Sequence, residues 1–338
     1  MFGLAGHTLS ARLVYDMSSS NLRPGLASLF IDRYGRLRSG IRFGVFTSLF
    51  VFSLVMFSVA AMPLLAAAGP AGKAGTPLFW LVNSIAALAS ALLAGWLSAG
   101  YLEKLPFRSL GAWFTGRWAR NFFAGLLLGA ASLSLAVGIA AIAGGLSFEL
   151  ERSAGVEAIL RTLTASALIF LVAAAAEEAL FRGYVLQTFS RSGLVVFGVL
   201  ATSVMFATVH NTNPNASLLS WTNTFLAGIW FGVAYLKTRD LWLVTGLHAA
   251  WNWMQGAFFG VEVSGLTGFI TAPLFREIDS GPAWLTGSDY GLEGGIAATF
   301  ALLLSIAALW FLPFLKPDKE LLALTLPPPT LRTPPVEI

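Results

Sequence analysis

The chain has 338 residues, of which 56% are hydrophobic and only 11% charged, against roughly 25% charged in soluble domains. A mean hydropathy of +0.74 leaves no room for a large soluble domain, and the absence of Cys excludes disulfides, a thiolate nucleophile and a Cys-ligated metal. The net charge of +4 is not a nucleic-acid footprint, because the basic residues gather at the ends of apolar runs, where a membrane protein keeps them.

About 20 apolar residues span a bilayer core. On that measure the sequence predicts an all-α membrane protein with eight spans: 41–68, 77–101, 121–146, 163–189, 194–211, 218–236, 241–260 and 294–315. A basic N-terminal segment, 1–40, precedes the first span, which reads as an uncleaved anchor. Residues 41–160 hold the first spans and 161–260 the core that carries the chemistry. The fourth span exceeds the bilayer requirement and is expected to tilt or project into the interface. His210-Asn-Thr-Asn-Pro-Asn-Ala-Ser217 is a turn cluster between the fifth and sixth spans. Residues 261–293 are too long for a tight turn and are expected as a solvated extracytoplasmic loop, with a lid or substrate rim as the alternative. The tail, 316–338, is Pro-rich and expected to be extended. No internal repeat is visible.

Connection charges set the orientation. Arg12, Arg23, Arg33, Arg36 and Arg38 precede the first span; Lys104, Arg108, Arg117 and Arg120 follow the second; Lys237 and Arg239 follow the sixth. The third and seventh connections are acidic, with Glu149, Glu151 and Glu157 in one and Glu262, Glu277, Asp279, Asp289 and Glu293 in the other. Both termini are therefore expected in the cytoplasm, as an even number of spans requires.

The chemistry is concentrated in the second half. Glu177, Glu178 and Arg182 are the only charges in the apolar stretch LIFLVAAAAEEALFRGYVL. A carboxylate at that depth costs about 2.5–3.5 kcal/mol even on insertion scales, so it needs a partner or a task. Glu178 and Arg182 are four residues apart and share a helical face, whereas Glu177 is rotated about 100° away and is free to meet another helix. Phe206 and His210 share a face at the end of the fifth span, and His248 and Asn252 share one in the seventh. Each pair alone reads equally well as helix–helix hydrogen bonding. Together, two of the three histidines, an Asn and an unpaired Glu in neighbouring spans point to a site. His7 lies in the polar N-terminus and receives no role.

Peptide hydrolysis needs an activated water, donors for the tetrahedral oxyanion and a proton for the leaving amine. A carboxylate withdrawn from water becomes a better base near neutral pH, and His and Asn side chains are suitable oxyanion donors. The same residues leave other readings open. Glu177, His210 and His248 are a possible three-ligand zinc set, although no His-Glu-x-x-His occurs. Intramembrane ionisable groups also mark transporters, whose repeat symmetry this chain lacks, and a catalytically idle scaffold is a third class. Neither a Gly-x-Ser-Gly nor a Gly-x-Gly-Asp signature is present.

Glu177-Glu178-Ala-Leu-Phe-Arg182, Phe206-x-x-x-His210 and His248-x-x-x-Asn252, in that order, resemble the three motifs of the CPBP family. These are the CAAX proteases and bacteriocin-processing enzymes, also called the Abi family. The resemblance covers roughly residues 165–255. It implies an intramembrane glutamate endopeptidase with no metal or other cofactor, built as a bundle of about eight transmembrane helices around a polar intramembrane cavity. It implies Glu177 as the base that activates water with His210 beside it, His248 and Asn252 as oxyanion donors, and Glu178, Arg182 and Phe206 as supports of the site. The implied partners are the lipid bilayer and a membrane-embedded or membrane-associated protein or peptide substrate, with no nucleic acid. The lack of Cys and the preference for Arg over Lys favour a bacterial cytoplasmic membrane. Depth counting places His210 nearer the outer face than Glu177, His248 and Asn252, so the fifth helix is expected to tilt or to start in the interface.

Overall fold

The computed structural model describes residues 27–32, 35–266 and 268–326. The basic segment before residue 27, with His7, and the Pro-rich tail after residue 326 lie outside the described residues, as does Arg33. Residues up to Arg38 form one unit and Ser39–Ile338 the other. In the first unit a short helix, Ala27–Phe30, leads into a tight loop closed by Asp32, whose carboxylate accepts from the Arg36 backbone N–H (3.0 Å) and guanidinium (3.0 Å).

The second unit is helical almost throughout. Among the described residues four helices are long and apolar enough to cross a membrane: α1 (Ser39–Ala67), α2 (Pro77–Glu103), α3 (Trp118–Ile142) and the helix running from Val156 to Arg191. The last begins as α4 (Val156–Glu178), widens to a π-helix over Ala179–Leu186 and closes with a final α-helical turn, Gln187–Arg191. The chain is thus an integral membrane protein by length and apolarity. The other expected spans coincide with shorter or less apolar helices: α5 (Val195–His210), α6 (Leu218–Thr238), α7 (Leu241–Trp253) and α8 (Ile296–Phe311). A short α9 (Lys319–Thr325) follows.

Helix ends are fixed by local chemistry. Asp240 caps α7, its Oδ1 accepting from the N–H groups of Trp242 (3.1 Å) and Leu243 (3.2 Å), while Oδ2 accepts from Asn121 of α3. Ser217 and Ser220 form a reciprocal cap on α6. Arg42 of α1 and Arg191 at the end of the fourth helix converge on Glu103 at the end of α2, Arg191 by two bonds of 2.8 Å and Arg42 at 2.6 Å. All three side chains are almost sealed from solvent.

The tightest helix pair is α3 against α7. Gly125 and Gly129 form a G-x-x-x-G on α3, and a Cβ at either would run into the carbonyl of Leu243 or Leu247. Gly246 returns the contact, its missing Cβ clearing the carbonyl of Phe122. Without a hydrophobic drive between helices in lipid, such close backbone approach is what holds a pair together. It also fixes α7, the helix that carries His248 and Asn252.

Residues 261–293 depart from the solvated loop expected of them. They contain β2 (Phe275–Asp279), which pairs antiparallel with β1 (Leu146–Leu150) in the register Leu146↔Asp279 to Leu150↔Phe275. Buried Val261, Val263, Leu285, Tyr290 and Leu292 anchor the segment to the helices. Asn223 of α6 ties down its end, donating to the carbonyls of Glu293 (2.9 Å) and Gly295 (2.8 Å). The segment is a folded cover rather than a solvated strand of chain because its apolar side chains have a helical surface to bury against.

Candidate active site

Glu177 and Glu178 close α4 where the helix widens into its π-turns, a distortion that recurs at functional sites. Adjacent on the chain, they meet opposite environments. Glu178 is fully buried, whereas the Glu177 side chain keeps 35% of its surface exposed. The 100° between successive helical residues accounts for the split: one carboxylate turns into the bundle and the other onto a cavity wall.

Glu178 is the hub of a buried chain of charges. Its Oε1 accepts from Arg182 Nη1 (3.2 Å) and from His248 Nδ1 (2.9 Å). Arg182 Nη2 donates to the carbonyl of Gly228 on α6 (3.0 Å). The guanidinium carbon lies 5.0 Å from the ring centre of Phe206 and 5.2 Å from that of Phe231. Phe231 also stacks on His248, with centroids 4.5 Å apart and planes 22° from parallel. The His248 ring is therefore held in place on both its edge and its face.

The hydrogen-bond partners dictate the tautomers. His210 Nδ1 lies 2.8 Å from the carbonyl of Phe206, which only accepts, so Nδ1 carries the hydrogen. His248 Nδ1 faces a carboxylate oxygen and donates likewise. Both rings thus turn Nε2 away from their anchors. In a neutral ring Nε2 is an acceptor, and in an imidazolium it is a donor, so an oxyanion role for either histidine requires the charged form. His248 Nε2 stands 3.8 Å from Glu177 Oε2, which accepts no hydrogen bond from the described residues.

Two adjoining cavities meet at these residues. The outer one, about 260 Å³, is walled by α2 (Trp80, Asn83, Ser84), α4 with Glu177, and the cover residues Val263, Ser264 and Phe269. The inner one, about 30 Å³, lies among Phe206, Phe231, His248, Trp251 and Glu293. His210, Asn252 and Ser264 line both. Glu177, His210 and Asn252 therefore share one space, and His210, His248 and Asn252 share the next. Glu178 and Arg182 line neither cavity, Phe206 lines the inner one, and all three pack behind the histidines.

The turn at 192–194 joins the helices that carry Glu177 and His210. Glu177 lies 14 residues before Arg191 and His210 lies 15 residues after Val195, so the two stand at similar chain separations from that shared turn.

Phe231, Gly228, Ser264 and Glu293 were not predicted. A glycine carbonyl and a stacking Phe leave no mark in sequence. Glu293 did leave one, as a carboxylate one turn before an apolar helix. Among the described residues no group of three or more His, Asp or Glu is arranged to hold a metal ion.

The type II CAAX prenyl endopeptidase Rce1-like family matches residues 159–254, from the start of the fourth helix through α7. The match agrees with the motif resemblance and takes in every predicted site residue from Glu177 to Asn252. It covers less than a third of the chain and leaves out α2 and the cover. No curated protein matches the chain. The matched family is one of proteases, which supports a hydrolase of the endopeptidase class in a membrane setting.

Proposed function

We propose that the chain is a multi-pass intramembrane endopeptidase in which Glu177 activates the water that attacks a peptide bond. The observation that carries the reading is the shared cavity: Glu177, His210 and Asn252 line one space, with His248 Nε2 3.8 Å from the Glu177 carboxylate. Glu177, the partly exposed carboxylate on the wall of the outer cavity, takes the proton from water. His210, anchored through Nδ1, offers Nε2 to the same water. His248 as an imidazolium and the Asn252 amide donate to the oxyanion, and Glu177 returns its proton to the leaving amine. Arg182 pairs with Glu178, and Glu178 holds His248 by Nδ1, so this pair acts through the histidine rather than on the substrate. The eight helices α1–α8 are read as eight spans around this site, with both termini on the cytoplasmic side. The substrate is a membrane-embedded or membrane-associated protein or peptide that reaches the outer cavity between α2, α4 and the cover.

The test compares membrane fractions from cells producing the wild type or Glu177→Ala. Uncut precursors accumulate in the variant, while its helix content and expression match the wild type. Identical peptide populations in the two fractions would refute the reading.

A further inference from the structure

A peptide bond within a membrane helix is open to attack only where that helix unwinds, and in a bilayer each peptide group so released needs a hydrogen-bond partner from the protein. Beyond Glu177, His210 and Asn252, the outer cavity is walled largely by apolar side chains such as Ile169, Phe170 and Phe269. Two of its remaining polar residues are engaged: Asn213 Nδ2 donates to the Ser264 carbonyl (3.0 Å) and Ser264 Oγ to Glu293 (2.5 Å). The other two, Asn83 and Ser84, stand side by side on α2, outside the segment matched to the protease family. Asn83 Nδ2 donates to the carbonyl of Phe79 one turn back (2.8 Å), which fixes the carboxamide and leaves Oδ1 as an acceptor with no donor among the described residues. Ser84 breaks a pattern. Hydroxyls on these helices donate to the carbonyl one turn back, as Ser90 does on the same helix (2.7 Å), Ser166 on α4 (2.6 Å) and Ser203 on α5 (2.7 Å). The Ser84 hydroxyl has no hydrogen-bond partner among the described residues. A polar group left unpaired within a membrane helix costs free energy that a bound partner recovers. One acceptor and one donor on adjacent residues match the N–H and C=O that an extended strand presents. The length fits as well. The lining residues of α4 run from Ile169 to Glu177, about 12 Å of helix, which an extended strand covers in roughly four residues.

We propose that Asn83 and Ser84 bind the main chain of the unwound substrate in the outer cavity, Asn83 Oδ1 accepting from a peptide N–H and Ser84 Oγ donating to a peptide carbonyl. That the occupant is cut there rests on the endopeptidase reading; the two bonds do not. Both go to groups that nearly every residue carries, so they hold the strand in the cavity of Glu177 without selecting its side chains.

The test is an ester scan. A membrane-spanning Leu/Ala peptide with a central Gly-Gly, where it unwinds readily, is bound to purified Glu177→Gln protein, which leaves the peptide whole. Each central amide is replaced in turn by an ester, which lacks the N–H and has a weaker acceptor carbonyl. At one position the ester weakens binding about fivefold, the loss of one hydrogen bond. With Asn83→Leu added, the parent peptide loses about the same factor and that ester costs nothing further. Ser84→Ala likewise weakens the parent, and is coupled to the position whose carbonyl the ester impairs. Both substitutions leave the bundle's bonds in place, because the Asn83 side chain bonds only within its own helix and Ser84 bonds nothing. Failure of the peptide to bind, or the lack of an ester position coupled to either variant, overturns the assignment. Wild-type cleavage of the parent peptide reports separately on the chemistry: coupled binding without cleavage keeps the main-chain site and sinks the peptidase, and cleavage without coupling does the reverse.

Discussion

Arg182→Ala tests the buried charge chain. Arg182 and Glu178 are both fully buried, and the substitution leaves Glu178 with His248 as its remaining hydrogen-bond partner. Removing one member of a buried ion pair costs about 3–5 kcal/mol, because the other charge stays desolvated. Here the lower end is expected, since His248 Nδ1 at 2.9 Å still serves the same carboxylate oxygen. The Gly228 carbonyl also loses its donor, a cost of about 1 kcal/mol that any Arg182 variant shares. The double variant Glu178→Gln/Arg182→Met removes both charges, keeps an acceptor for His248 and fills the space between Phe206 and Phe231. It should recover all but about that 1 kcal/mol. Reversible denaturant unfolding in mixed micelles measures the three proteins side by side. If the single variant lies within about 1 kcal/mol of wild type, or the double is no more stable than the single, Arg182 is not neutralising a buried Glu178.

Further outcomes follow from the same geometry. His248→Ala and Asn252→Ala each lower kcat by about 10²- to 10³-fold with folding intact, the cost of an oxyanion donor, and His210→Ala loses most activity; full turnover in any one removes that residue from the site. Activity of the purified protein is unchanged by chelators, and a loss restored by added zinc would favour the three-ligand metal reading instead. On the cover, burial and the neighbouring Glu262 carboxylate push Glu277 up from about 4.5 to about 8. The folded state thus holds a proton that the unfolded chain releases, so this group's contribution falls as pH rises from about 4.5 to about 8. Melting of wild type against Glu277→Gln over that range should show a slope in the first and a flatter line in the second; parallel curves contradict it.

Much of this site is legible in the sequence because lipid makes intramembrane charge costly. Glu177, Glu178 and Arg182 stand out for that reason, and the helical repeat correctly separates the exposed carboxylate from the paired one. The four long helices follow from apolar run length. What the sequence conceals depends on contacts between distant segments. Gly125 and Gly129 announce a close helix neighbour but not that it is α7. The burial of Val261, Val263 and Leu292, which holds the cover to the helices, follows no period. Glu293 reads as one more acid in an acidic connection until the fold sets it against Trp251 and Ser264.

The central claim, that Glu177 drives water onto a peptide bond, is tested most directly by isotope transfer. Wild type and Glu177→Gln are reconstituted in vesicles with a precursor found uncut in the variant cells, in water enriched in heavy oxygen. The wild type should place one heavy oxygen in the new C-terminal carboxylate and Glu177→Gln should yield no product. Labelled product at equal rates from both proteins would contradict the assignment.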